Sequence, residues 1–511
     1  MPDPSTLEKL RPCGRLETFS TARHHLGFYR NVACTATYTN HSSTTTTATT
    51  AATTTIQDLI FRALRHLIAT HAILSAIPLR EEKSYPDVYF ARLPSIDLRT
   101  CVEFISRKDE EEKEVSEGGE GERDEELDAL LTEQHNRDFK QDEGTKPFWR
   151  LVILHSPEKN AGDFTASWVF HHALADGTSA LVFHRHFLSA LQQVAGSTSS
   201  SETTDADVNP IVPSPNTPLL PPLEALHPLP ISALFLAKAL LGSLFPSWFA
   251  PRAAKLWTGA PISNSASQTR ACFQSVVLSA ATTKALREAS RCERTTVTAA
   301  LQCIVASSLL CTLDAQQYES VKVDGPISLR RFLRWEGEGG LEEQFVNAMG
   351  QYGYVHSRSI PTPPSSALAG STFSWASARA VRAAISRELD KNGRDSVVGL
   401  LRHVPDMHKF FLGKVGRERE SSFELSNLGV YKADSGEGER EGEGWKIRRM
   451  VFSQCPNVAG AAFATSVVTG GDGCAVLGFS WCEGVVEGEV VERVMRRVER
   501  EVEGVLAAAE A

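Results

Sequence analysis

Residues 209–230 read NPIVPSPNTPLLPPLEALHPLP, and eight of these 22 residues are proline. Proline lacks an amide hydrogen and holds φ fixed, so this run can be neither a regular helix nor a strand inside a sheet. The chain has 511 residues, more than one hydrophobic core usually organises. The run therefore marks a crossover between two halves. We expect a first unit over residues 1–208, a connecting stretch over 209–260, and a second unit over 261–511.

Both halves alternate the two hydrophobic periods. Residues 91–106, 147–156 and 165–170 read as strands, and 127–136 as a short helix. After Gly177, the apolar positions Ala180, Phe183, Phe187, Leu191 and Val194 recur every three or four residues, the mark of an amphipathic helix. In the second half, strands are expected at 271–279, 423–429, 446–454 and 475–481, and DGPISLRRFL reads as a strand end with a turn. Helices are expected at 281–291, 295–310, 373–389 and 491–506. The fold class is mixed α/β. Two biased stretches, the Thr/Ala run at 42–55 and the acidic run at 108–128, read as a surface connection and a solvated loop.

One segment departs from this scheme. Residues 231–250 are apolar except for Lys238 and are broken by Pro246. A buried or substrate-covering helix is the preferred reading, a helix lying on a membrane the next, and a true span the last. The net charge of -9 argues against a broad nucleic-acid footprint, which needs concentrated Lys and Arg. Ten cysteines without a Cys-x-x-Cys pair suggest reduced, mostly buried thiols. The first residues show no apolar stretch of the secretory kind.

Chemistry is concentrated in TASWVFHHALADGTSALVFHRHFLSAL, residues 165–191. Here an apolar strand runs into a short loop and then a helix. Successive strand side chains face opposite ways, so one of His171 and His172 can face a cleft while the other packs. A neutral imidazole is well suited to take up a proton near neutral pH. Asp176 stands where a helix N-cap belongs, and it could cap the helix, hold an Arg across the molecule, or orient the ring. A packed His beside a capping Asp is the plain alternative. Zinc would need three or four ligands, and His184 and His186 on the next helix point apart, with no His-Glu-x-x-His arrangement. No metal is expected.

The heptapeptide HHALADG (residues 171–177) matches His-His-x-x-x-Asp-Gly, the signature of the CoA-dependent acyltransferase superfamily. That superfamily includes chloramphenicol acetyltransferase, the plant BAHD acyltransferases, carnitine acyltransferases and the condensation domains of nonribosomal peptide synthetases. LRPCGRLETFSTARHHLGFYRNV (residues 10–32) resembles the opening of the fungal alcohol acetyltransferase family, which also contains an N-acetyltransferase. KPFWRLVIL, KLWTG, PISLRRF, NAMGQYGYV and ELSNLGVY follow in that family's order. The likeness covers nearly the whole chain apart from the inserts. The BAHD segment Asp-Phe-Gly-Trp-Gly is missing, which sets the chain apart from the plant branch.

The resemblance implies two chloramphenicol acetyltransferase-like subdomains of mixed α/β sheets around a central tunnel. It implies an acyltransferase of fungal secondary metabolism, with no permanently bound cofactor and with acetyl-CoA or another acyl-CoA as co-substrate. An alcohol or amine acceptor would attack the thioester in a ternary complex, with His172 as general base. Asp176 would be structural and paired with Arg330, which the resemblance favours over Arg331. Gly177 would allow close backbone approach, and His171 would support the loop. Ser426 and Asn427 would lie opposite His172, near the developing oxyanion, although a strand-end turn built on Asn-Leu-Gly explains them nearly as well. Tyr29 and Arg23 would line the acceptor side, while His24, His25, His184 and His186 read as packing or surface residues. The partners expected are a small hydrophobic acceptor and acyl-CoA, with no nucleic acid. A monomer in the cytoplasm is expected, with peripheral contact to the endoplasmic reticulum or lipid droplets left open by residues 231–250. Two alternatives are a stand-alone condensation-like enzyme fed by a carrier-protein thioester and a non-catalytic ligand-binding relative.

Overall fold

Strand Phe164–Phe170 is buried along its whole length, as its unbroken apolar run requires. It sits inside a sheet covered by the helix that follows it. The computed structural model describes residues 3–40, 55–108, 122–156, 163–197, 209–244, 255–263, 270–337, 340–358, 364–432 and 444–510. Among these, twelve strands build two large sheets. They are β1 (Val32–Asn40), β2 (Val102–Ser106), β3 (Trp149–His155), β4 (Phe164–Phe170), β5 (Leu256–Trp257) and β6 (Ala271–Leu278), then β7 (Ser320–Ser328), β8 (Met349–Ser357), β9 (Phe423–Val430), β10 (Trp445–Gln454), β11 (Phe463–Thr469) and β12 (Ala475–Cys482). The first sheet has the order β10-β1-β4-β3-β2, and the second β5-β7-β9-β11-β12-β6, with β8 paired to β7. Both sheets mix parallel and antiparallel pairs. The mixed α/β architecture in two halves is therefore realised.

The longer helices are α1 (Arg15–His25), α2 (Ile56–Thr70), α3 (Glu125–His135), α4 (Gly177–Ser197), α5 (Ala233–Leu244), α6 (Ala280–Cys292), α7 (Val297–Thr312), α8 (Trp375–Asp390), α9 (Met407–Leu412) and α10 (Gly488–Glu510). On α4, Phe183, Phe187, Leu191 and Val194 are buried, as their spacing predicts. Trp168 of β4 stacks on Phe183 with centroids 4.5 Å apart, which fixes where α4 starts relative to the strand. Each sheet has its own core, around Trp149, Trp168 and Phe187 in one half and Phe423, Phe463 and Val498 in the other. A smaller cluster that includes Leu16, Phe28, Leu329 and Phe411 ties the halves together.

Several expectations need correction. The second unit is not confined to its linear span, because β10 pairs antiparallel with β1 in the first sheet, Phe452 opposite Cys34 and Gln454 opposite Val32. Without β10, β1 would present an open edge. Strands β1, β5, β8 and β11 lie outside the strands expected from the sequence; the two glycines of MGQYGYVHS weaken its signal, whereas FATSVVT carries the Phe, Val and Thr that strands favour. The Pro-rich run does contain structure, a three-residue edge strand Ile211–Pro213 paired with Ser95–Asp97 and a single turn Leu223–Leu226.

The acidic insert does not stay a solvated loop to its end. Residues 109–121 lie outside the described residues, but Asp124 caps α3. Asp128 is only 2% exposed; it accepts from the Ser275 amide and hydroxyl, both at 2.9 Å, because α3 packs against β6. Of the Thr/Ala run, only Thr55 is described, and it caps α2. Helix α5 is not buried. Leu234 is 67% exposed, and Leu240 and Leu241 are exposed beside it, because only part of the helix surface packs. Among the described residues, no single helix is long and apolar enough to cross a membrane. No two of the ten cysteines are bonded.

Candidate active site

The loop between β4 and α4 is fastened at both ends. The His171 amide donates to Phe148 O at 2.9 Å, the Leu174 amide to His171 O at 3.0 Å, and the Asp176 amide to Val346 O at 3.3 Å. These bonds turn the chain within five residues and separate the two imidazoles, as strand alternation predicts. His171 points into the first core, and His172 lines a cavity of about 530 Å³ between the halves. This cavity occupies the place expected for a central tunnel.

His171 belongs to a closed set. Its Nδ1 accepts from the Ala173 amide at 3.0 Å, so the proton sits on Nε2, which faces Glu81 Oε1 at 3.1 Å. His24 mirrors it, with Nε2 accepting from the Phe139 amide at 3.3 Å and Nδ1 2.5 Å from Glu81 Oε2. Burial first, and the nearby His24 second, pull the His171 pKa down to about 4. A metal ion would need lone pairs on the very nitrogens that carry these protons. Glu81 is hydrogen-bonded to His24 and in ion-pair contact with His171, and the three residues form a closed polar set rather than a ligand set. His24 is thus a packing residue as expected, whereas Glu81 carried no signal in the sequence.

His172 has a different environment. Asn347 Nδ2 donates to its carbonyl at 2.8 Å and lies 3.5 Å from its Nδ1. The Tyr29 ring stands 5.8 Å away, centroid to centroid. Burial, followed by the Arg23 charge, lowers its pKa to about 4, while its own backbone carbonyl works the other way. The imidazole is uncharged near neutral pH. Asn347 opens the family-like stretch NAMGQYGYV, and its place against His172 comes from the segment that leads into β8.

Asp176 does two of the things its position allows. Its Oδ1 accepts from the Ser179 amide at 2.9 Å, which caps α4, and from Arg330 Nη2 at 2.9 Å. Ser179 Oγ and the Ala348 amide add bonds at 3.0 and 3.1 Å. Burial works to raise the carboxyl pKa, and Arg330 with these donors more than offsets it, so the pKa lies below the ordinary value. Arg330 is buried and also donates to the carbonyls of Leu341, Gln344 and Val346. Arg331 is exposed, its guanidinium over the Phe332 ring.

Gly177 opens α4 where the second half comes closest. A Cβ there would lie 2.5 Å from Leu428 Cδ2 and 3.2 Å from Phe452 Cζ. The close approach is to protein. Ser426 and Asn427 both line the cavity, but their side chains differ in freedom. Asn427 Nδ2 donates to Thr298 Oγ1 at 3.0 Å and its Oδ1 accepts from the Gly429 amide at 2.7 Å. That amide is used by the strand-end turn, which leaves the Ser426 hydroxyl as the donor available to a ligand. Tyr29 and Arg23 line the same cavity from the first half. Tyr29 donates to Gln454 Oε1 at 3.0 Å, and Gln454 Nε2 donates to Glu424 Oε1 at 3.1 Å. Phe235 of α5 also lines it, so the apolar helix covers the cavity in part.

The remaining histidines stay apart from this site. His184 is buried between Tyr38 and the Cys34 carbonyl, and His186 bridges His71 and Glu343. His25 packs edge-on against His408.

Comparison with known proteins agrees with this geometry. The sequence profile of the alcohol acetyltransferase family matches residues 12–496. The chain is 36% identical over 491 residues to the probable alcohol acetyltransferase crmB of Aspergillus fumigatus, covering 95% of this chain and 97% of that protein. It is 22% identical over 488 residues to the probable alcohol acetyltransferase FCK4 of Fusarium pseudograminearum, covering 95% and 93%. Among solved structures, the trichothecene 15-O-acetyltransferase TRI3 of Fusarium sporotrichioides has a similar fold, with a TM-score of 0.67 at 12% identity over 97% of this chain and 95% of that one. The first condensation domain of the calcium-dependent antibiotic synthetase follows at a TM-score of 0.57 and 14% identity, over 99% and 97%.

Proposed function

The chain belongs to the alcohol acetyltransferase family and is an acyltransferase, and on that premise we propose that it moves an acetyl group from acetyl-CoA to a hydrophobic alcohol or amine, with His172 as general base. Acceptor and donor meet in a ternary complex in the cavity between the halves. A neutral imidazole carries a proton on one ring nitrogen and keeps a lone pair on the other for the acceptor proton. The acceptor then attacks the thioester carbonyl, and the oxyanion collapses with loss of the CoA thiolate. The imidazolium returns its proton to that sulfur. Arg23 disfavours the imidazolium, so the proton is held only briefly. The Ser426 hydroxyl is the side chain we assign to the oxyanion.

The observation that carries this reading is an imidazole that lines a cavity shared by both halves, on a loop fastened by Asp176 and Arg330. The exposed Leu234, Leu240 and Leu241 of α5 support peripheral contact with a lipid surface in the cytoplasm. Thiol release from acetyl-CoA against a panel of alcohols and amines is the test. His172→Ala should lower turnover by ~10²–10⁴-fold in a protein with unchanged circular dichroism. Near-normal turnover in that variant would overturn the assignment. Consumption of a carrier-protein thioester in place of acetyl-CoA would overturn the donor.

A further inference from the structure

Four arginines are buried among the described residues: Arg23, Arg150, Arg330 and Arg419. Three of them are well supplied with acceptors. Arg150 reaches Gln134 Oε1 at 2.6 Å and Gln134 O at 3.0 Å. Arg330 has Asp176 and a set of carbonyls, and Arg419 donates to Ala260 O, Val458 O and Gly460 O. Arg23 differs. Like Arg330 Nε and Arg419 Nη2, its Nε has no hydrogen-bond partner, but unlike those side chains it has only one described bond, a long one from Nη2 to Ser20 Oγ at 3.5 Å, and it is 7% exposed. A buried guanidinium left in this state is costly unless something else completes it.

The surroundings of Arg23 say what kind of group is missing. Its guanidinium carbon lies 4.4 Å from the Phe19 ring centroid and 4.5 Å from that of Tyr29. The rings take its faces, so its hydrogen-bonding edge is the part left to the cavity that it lines with His172. Of the carboxylates that line this cavity, Glu424 is the one whose charge acts on Arg23, yet it is held by Gln454 and forms no ion pair or hydrogen bond with the guanidinium. A planar, charged fork with free edge donors matches a carboxylate. The phosphates of CoA are poor candidates, because the pantetheine arm separates them from the thioester that reacts beside His172.

We propose that Arg23 binds a carboxylate carried by a substrate close to the reacting centre, so that the preferred acceptor is a hydroxy or amino acid rather than a neutral alcohol. This inference rests on the acyl-transfer reading. The same carboxylate could arrive on the donor, as in a dicarboxylic acyl thioester, but the acetyl group of the family carries none.

The test compares 3-phenyllactate with its primary amide as acceptors for acetyl-CoA, and acetyl-CoA with malonyl-CoA when the amide is the acceptor. In the wild-type protein kcat/KM should favour the acid by about tenfold or more. Arg23→Met should bring the ratio near one, and Arg23→Lys should keep part of it. A preference for malonyl-CoA that is lost in Arg23→Met would instead place the carboxylate on the donor. Calorimetric binding of 3-phenyllactate and its amide to His172→Ala needs no turnover, so it separates this inference from the catalytic one. The proposal is overturned if acid and amide bind and react alike in the wild type with no malonyl preference. It is equally overturned if the discrimination survives in Arg23→Met. Should Arg23→Met fail to fold, the wild-type ratios and Arg23→Lys decide the matter.

Discussion

Asp176→Asn separates two roles that one carboxylate performs. Asn caps helices about as well as Asp, so if Asp176 only capped α4 the substitution would be nearly silent. The ion pair makes a different demand. The substitution would leave Arg330 buried and charged, and the new side-chain NH₂ would face either the Ala348 amide or Arg330 itself, both donors. Breaking a buried pair by removing one partner costs about 3–5 kcal/mol. Arg330 keeps three carbonyl acceptors, which places the expected cost near the lower end, about 3 kcal/mol. Thermal and urea midpoints of the two proteins, followed by Trp fluorescence, measure it. The pH dependence provides the control. The folded carboxyl lies below its ordinary value of 3.8, so the pair's stabilisation is full above that value and is lost as pH falls through the folded pKa. The gap between wild type and variant should therefore be constant from neutral pH down to mild acid, and close only at more acid pH. Equal stability at pH 7, or a gap that ignores acid, would refute the reasoning.

Two further outcomes follow from the same geometry. With the His172 pKa lowered to about 4, kcat/KM should show no acid limb near the ordinary His value and fall only towards pH 4; in Arg23→Met, which removes a nearby positive charge, that limb should move upward. A limb at the ordinary His value in the wild type would contradict the burial argument. Gly177→Ala should cost about 1–3 kcal/mol by overpacking and lower activity, since the new Cβ would fall 2.5 Å from Leu428 Cδ2. Adding Leu428→Ala should recover much of the stability in a denaturation series, and a double variant no better than the single would show that the contact is not the cause.

Much of the site was legible locally. Alternation along β4 separates His171 from His172, and the spacing after Gly177 gives α4 with Asp176 at its cap, because both depend only on neighbours in the chain. The roles of Asn347, Glu81 and Gln454 were not legible. Each is an ordinary polar residue whose partner lies far away in sequence: 175 residues separate Asn347 from His172, and 425 separate Gln454 from Tyr29. Asn427 stayed open between an oxyanion donor and a strand-end turn for a related reason, since whether its amide is free depends on Thr298 of α7.

From the chain alone came the alternation of strands and helices, the break at the prolines, the strand-loop-helix bearing two histidines, and the family it resembles. The first three follow from backbone sterics and short-range hydrophobic periodicity, which any stretch carries within itself, and the resemblance rests on matched stretches such as HHALADG. Tertiary structure alone decided that β10 crosses into the first sheet, that Glu81 closes one imidazole off while Asn347 holds the other, and that Arg23 lines the cavity without a direct ion pair. Those outcomes depend on which distant surfaces are buried together, and so on desolvation and pairing that exist only once both halves have packed.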